Sequence, residues 1–143
     1  MQKYLRRQPE RRAVSKLRGM TIHRNEDSMI DRELMEELLA FRRERDWEQF
    51  HTPRTLAAGI CIEAAELLEH FQWARDAELD DIVAKNREAI EHEIADVAMY
   101  LSLLCNDIGV SLDDAVRRKL ELNKQKYPVD KARGKSDKYD RLE

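Results

Sequence analysis

The sequence is poor in every residue that turns a chain sharply. Four glycines and three prolines among 143 residues are too few for the closely spaced turns of a β-sandwich, a β-barrel or a collagen-like repeat. Cysteine is scarce as well. Cys61 and Cys105 are the only two, and they show neither metal-site nor redox-motif spacing. That excludes a disulfide scaffold and points to a reducing, cytoplasmic setting. No apolar run nears the roughly 18 residues needed to cross a bilayer, which excludes an integral membrane protein. There is no secretory apolar core. What the chain has in abundance is charge, 38% of residues against 42% hydrophobic. The length suits one domain, and the expectation is a soluble helical protein.

The charge is unevenly placed. Residues 1–28 hold eight Lys/Arg and three Asp/Glu, whereas residues 29–143 hold 18 and 26. The acidic body disfavours a nucleic-acid polymer as partner. An acidic protein that handles phosphates needs metal ions to do so. Residues 1–28 lack sustained apolar periodicity and contain Pro9 and Gly19; they read as a basic, disordered extension, with Met20 and Met29 as alternative starts. A mitochondrial presequence or an RNA-binding arm fits this segment less well.

From Ser28 onward the sequence predicts four long helices and no strand. Ser28 and Asp31 form an S-x-x-D start, followed by Ile30, Leu34, Leu38 and Phe41 at helical spacing. This helix is expected to reach Trp47–Phe50. Thr52-Pro53 opens a second, running to about Trp73. Residues 74–85 read as a connector that can hold a short helix. A third helix over 86–107 ends at Gly109. Ser111 and Asp114 cap a fourth, which stops before Pro128. The expected architecture is an all-α four-helix bundle over 29–128, followed by a charged tail over 129–143. So small and charged a bundle is expected to bury more surface as an oligomer.

Placing residues on helical wheels reveals acids where apolar residues belong. On the second helix, Leu56, Ile60, Leu67 and Phe71 all fall within about 80° of Glu63, with Glu66 on the adjoining edge. The third helix repeats the arrangement: Ile90, Val97, Leu101 and Leu104 flank Glu93, with Asp96 and Tyr100 on the edge. Four carboxylates converging at a core border repel one another and lose solvation, costs that hard divalent cations relieve. Magnesium fits best, because it accepts a few carboxylates and keeps positions for water and phosphate oxygens. A single E-x-x-E would be an ordinary solvated edge; two at matching borders point to a site.

The fourth helix places Lys119 and Asn123 on the same stripe as Leu112, Val116 and Tyr127, and the lysine there can contact a phosphate. Trp47 and Trp73 close the first two helices, where indoles can sandwich a flat base. Trp47 lies off the apolar stripe of its helix.

Glu63-Ala-Ala-Glu66, 26 intervening residues and Glu93-Ile-Ala-Asp96 resemble the E-x-x-E…E-x-x-D signature of the MazG-like all-α nucleotide pyrophosphohydrolases. Residues 41–56 (FRRERDWEQFHTPRTL), Phe71-Gln72-Trp73 and residues 123–128 (NKQKYP) are similar to its dCTP pyrophosphatase branch. The resemblance covers about residues 29–139. It implies a four-helix core assembled into homodimers or homotetramers, with Mg²⁺ held by Glu63, Glu66, Glu93 and Asp96. The implied reaction cleaves a nucleoside triphosphate between the α and β phosphates, giving the monophosphate and pyrophosphate. Trp47, His51, Trp73 and Tyr100 would line the nucleotide pocket, with Lys119 and Asn123 near the phosphates. Glu63 and Glu66 are the catalytic candidates for orienting or deprotonating the attacking water. One departure stands out: relatives of the dCTP branch can carry a base-contacting His nine residues before the tryptophan of W-E-Q-F-H, where this chain has Leu38.

Two other classes compete. A di-iron helical bundle also buries carboxylates, but it requires two E-x-x-H pairs; the one here is Glu48-x-x-His51, at a helix end. A non-catalytic helical interaction module would leave the four acids solvated.

Overall fold

The computed structural model describes residues 29–141, so residues 1–28, including Ser28, lie outside the described part. The cap of α1 (Arg32–Glu44) falls to Asp31, whose Oδ1 accepts from the Leu34 N–H at 2.9 Å. This helix stops short of the expected Trp47–Phe50. Asp46 takes a left-handed conformation, φ 53° and ψ 34°, which no α-helix continues through. Trp47–Gln49 then form a 3-10 turn.

Thr52 and Thr55 open α2 (Pro53–Glu69) with reciprocal side-chain-to-backbone bonds of 3.3 and 2.9 Å, satisfying the amides at the helix start. The Thr55 hydroxyl also donates to the Phe50 carbonyl at 2.6 Å, tying the preceding turn to the helix. Where the sequence predicts helix to Trp73, α2 ends at Glu69 and the chain turns through residues 70–73. The connector carries a 3-10 turn (Asp76–Glu78) and a short helix α3 (Leu79–Lys85). The longest helix, α4 (Arg87–Ile108), ends at Gly109 with φ 68°, a left-handed stop that glycine adopts without steric cost.

Ser111 caps α5 (Leu112–Lys126). The tail is not featureless: α6 (Val129–Ala132) and a 3-10 turn at Tyr139–Arg141 follow. No strand occurs among the described residues, and no single helix among them is long and apolar enough to cross a membrane.

The pairing of α2 with α4 is the framework, and α1 and α3 rest on α4. Leu56 and Leu103 are completely buried between them, with Leu38 from α1 and Tyr100 from α4 completing the cluster. Sealing each leucine contributes about 1.5–3 kcal/mol. By contrast, α5 leaves α4 at 97° and buries none of its residues.

Candidate active site

The α2–α4 pairing brings acids from both helices to one place. Glu63 and Glu66 lie on α2 and Glu93 on α4, and one carboxylate oxygen from each lies within 4.8 Å of the others. Glu63 is the inner member at 8% exposure, Glu93 is half-buried and Glu66 is exposed. Asp96, one turn beyond Glu93, stands outside this trio, but its charge reaches Glu63. Burial, and then the charges on Asp96, Glu66 and Glu93, push the Glu63 carboxyl above its ordinary range. Like charges held this close without a cation favour protonation of the one that burial has already penalised.

Tyr100 stands one turn beyond Asp96 and is buried. Its ring lies flat on α2 at Gly59, where a Cβ would come within 2.8–2.9 Å of three ring carbons. Only glycine permits this approach. Burial, Glu63 and Asp96 raise the Tyr100 phenol, so it remains a neutral hydrogen-bond donor beside the acids.

A row of rings leads away from Tyr100. His51 lies 6.3 Å from it between ring centres, Trp47 lies 6.1 Å from His51, and Phe41 meets Trp47 edge-on at 5.7 Å. Trp47 is half-buried and His51 is 9% exposed. Because Trp47 lies on the 3-10 turn and not on α1, it faces His51; the left-handed Asp46 redirects the chain in a way that a helical wheel cannot represent. Trp73, by contrast, lies in the turn after α2 and is 88% exposed. Lys119 and Asn123 lie on α5, where they line a shallow hollow with Ala115, Val116 and Leu120. All five lining residues belong to α5.

The Arg42–Asp107 pair and Gly59 also shape this region. Arg42 on α1 is buried and binds Asp107 on α4 through both Nη atoms, at 2.8 and 3.1 Å. The sequence held a signal for this pair, since Arg42 follows Leu38 by one helical turn and Asp107 follows Leu103 by one. A charged residue thus occupies a core-facing position on each helix. Gly59 gave no such signal, being one small residue among several on α2.

The model of the MazG-like family matches residues 58–142, more than half of the chain. The chain belongs to the MazG-like family. Among curated MazG-like relatives, it is 45% identical over 101 residues to dCTP pyrophosphatase 1 of Rattus norvegicus, covering 69% of this chain and 59% of the rat protein. To dCTP pyrophosphatase 1 of Homo sapiens it is 41% identical over 104 residues, covering 71% and 61%. The MazG-like chain therefore spans about three fifths of the length of these relatives. It is also similar to the crystal structure of a pyrophosphatase from Archaeoglobus fulgidus, with 45% identity, a TM-score of 0.65 and coverage of 67% of this chain and 90% of that one. The two E-x-x-[ED] pairs of this MazG-like chain lie within the matched segment.

Proposed function

We propose that this chain is a nucleoside triphosphate pyrophosphohydrolase that removes noncanonical or surplus nucleotides. Its substrate is a pyrimidine deoxynucleotide such as dCTP or a modified form, cleaved between the α and β phosphates to the monophosphate and pyrophosphate. The observation that carries this reading is the convergence of Glu63, Glu66 and Glu93 on paired helices, in a chain 41–45% identical to dCTP pyrophosphatases.

The donor set suits Mg²⁺. It consists of carboxylate oxygens close enough to share a hard cation, and the inner member is buried among like charges that a cation would relieve. No histidine belongs to the trio, which fits magnesium better than a di-iron centre. Glu63, Glu66, Glu93 and Asp96 would hold the metal. When bound, Mg²⁺ supplies charge neutralisation for the triphosphate and acidifies water at the site. Glu63 or Glu66 orients the attacking water and accepts its proton. Trp47, His51 and Tyr100 form the wall for the nucleoside, with Trp73 as the second stacking surface. Lys119 and Asn123 reach the phosphates. The enzyme is cytoplasmic and works as a homodimer or homotetramer.

Incubation with Mg²⁺ and a panel of dNTPs and NTPs tests the reading. Release of pyrophosphate with the nucleoside monophosphate is expected, with pyrimidine deoxynucleotides turned over fastest. Release of orthophosphate with a diphosphate product, or no hydrolysis at all, refutes it.

A further inference from the structure

Gly59 and Tyr100 occupy one layer of the α2–α4 pair, and the acids occupy the next. Gly59 precedes Glu63 by one helical turn and Tyr100 follows Asp96 by one, a step of about 5.4 Å along each helix. The contacts agree with this layering: Gly59 meets the Tyr100 ring, while Glu63 and Glu93 share the acid cluster. On the other side of Tyr100 lies His51, 6.3 Å away between ring centres, and then Trp47, a further 6.1 Å on. The site thus runs from carboxylates through one phenol ring to an imidazole and an indole. A nucleotide runs from phosphates through a pentose to a base. With its phosphates at the acids and its base on His51 and Trp47, the pentose falls beside Tyr100. The place of that ring is set from α2. A Cβ at residue 59 would lie 2.8 Å from one Tyr100 ring carbon and 2.9 Å from two others, against 3.4–4 Å for ordinary contact. Tyr100 is only 7% exposed, so its packing leaves the ring little freedom to tilt aside.

We propose that Gly59 is a positioning residue that sets the width of the sugar subsite: it lets Tyr100 sink onto α2 and so leaves room at C2′ of the nucleotide. The inference rests on the nucleotide reading of the pocket given above. Any side chain at residue 59 drives the ring off α2 by at least 0.6 Å, the step from 2.8 Å to ordinary contact at 3.4 Å. The displaced ring closes on the pentose. Deoxyribose is narrower than ribose by one hydroxyl, so the width of the subsite is read as its tolerance of 2′ substituents. Glycine at 59 makes the subsite permissive, and the smallest side chain makes it strict.

Steady-state kinetics of the full-length protein with Mg²⁺ and dCTP, 2′-fluoro-dCTP or CTP test this. The wild type is expected to turn over all three. In Gly59→Ala the ratio of kcat/KM for dCTP over CTP should rise about tenfold, the low end of what a methylene-sized misfit costs. The change should lie in KM for CTP and not in kcat, with 2′-fluoro-dCTP between the other two. A purely structural role for Gly59 would weaken all three substrates alike. Tyr100→Leu removes the ring, and the ratio should fall below that of the wild type. In the Tyr100→Leu background, Gly59→Ala should no longer move the ratio. The proposal is overturned by a wild type that rejects both 2′-substituted nucleotides, or by an unchanged ratio in folded Gly59→Ala or in Tyr100→Leu. A Gly59→Ala effect that survives the loss of the ring overturns it too. If Gly59→Ala does not fold, the ratio in Tyr100→Leu decides: a fall supports the proposal and no change overturns it. Hydrolysis of none of the three by the wild type refutes the pyrophosphohydrolase reading itself, whereas hydrolysis with unmoved ratios refutes only the part given to Gly59.

Discussion

A carboxylate that burial and three like charges hold above its ordinary range makes Glu63 a source of pH-dependent stability. In the metal-free protein the folded state binds this proton more tightly than the unfolded chain does. Stability therefore falls as pH rises from the usual carboxylate range through the raised value, and the penalty persists at neutral pH. Thermal melts in EDTA should show a higher melting temperature on the acid side of that window than at pH 7. Glu63→Gln should remove this dependence and melt at or above the wild type at neutral pH. Its activity should fall more than about 100-fold, since even the outer partners of a metal site are commonly worth 10–100-fold. A variant that melts lower in EDTA and keeps its activity would make Glu63 an ordinary ion-pair partner. Gly59, one turn before Glu63 on α2, offers a steric test. Ala at this position puts a Cβ into the Tyr100 ring, which cannot yield without moving off its packing. Gly59→Ala should cost about 1–3 kcal/mol in denaturant melts, the range of overpacked sites. The convergence of Glu63, Glu66 and Glu93 could be anticipated from sequence because charge at a core border breaks the helical pattern, whereas Asp96, expected with them, stands outside the trio. Gly59 could not, because the ring it accommodates comes from 41 residues away.

At the level of elements, two of the three α-helix starts that carry a capping side chain could be read in the sequence, while the first falls to Asp31 where the S-x-x-D pattern starts the helix at Ser28. Thr52 and Ser111 cap where the sequence places them, because a cap is decided by residues within one turn of each other. Two helix ends could not. α1 stops at Glu44 because Asp46 adopts a left-handed conformation, and α2 stops at Glu69 although Phe71 continues its apolar periodicity. Both are tertiary decisions that periodicity does not record. The Arg42–Asp107 bond, the buried tie between α1 and α4, gives the element-scale prediction. Its side chains are 9% and 20% exposed. Asp107→Ala should destabilise the protein by about 3–5 kcal/mol in chemical denaturation, because a guanidinium is left buried without its partner. Arg42→Met/Asp107→Leu should cost far less, since well-packed apolar residues replace a buried ion pair at little cost. Equal losses in the two variants would mean that the pair contributes packing volume and not charge.

For the whole molecule, the decisive fact is how little of α5 is used. Val116, Leu120 and Leu122 on this helix are 52–56% exposed. The helix leaves α4 at 97° and none of its residues is buried. The fully sealed side chains of the described chain are two leucines, a thin core for a protein with this much charge. On α2 and α4, Leu68 and Ile94 are likewise half-exposed. Apolar residues left open on three helices are what a surface looks like before a second copy covers it, and stable interfaces need about 800 Å² from each partner. Light scattering at micromolar concentration should therefore give a dimer or tetramer. Val116→Glu and Leu120→Glu each place a charge in the middle of the open α5 face and should shift the protein toward monomer, with little change in helical content by circular dichroism. If Lys119 and Asn123, which share that face, reach the phosphates only when α5 lies against another copy, these variants should also lose nucleotide hydrolysis while the α2 and α4 acids stay in place. A monomer with full activity would separate α5 from both assembly and catalysis, and would require the phosphates to be held by the acids and their metal alone.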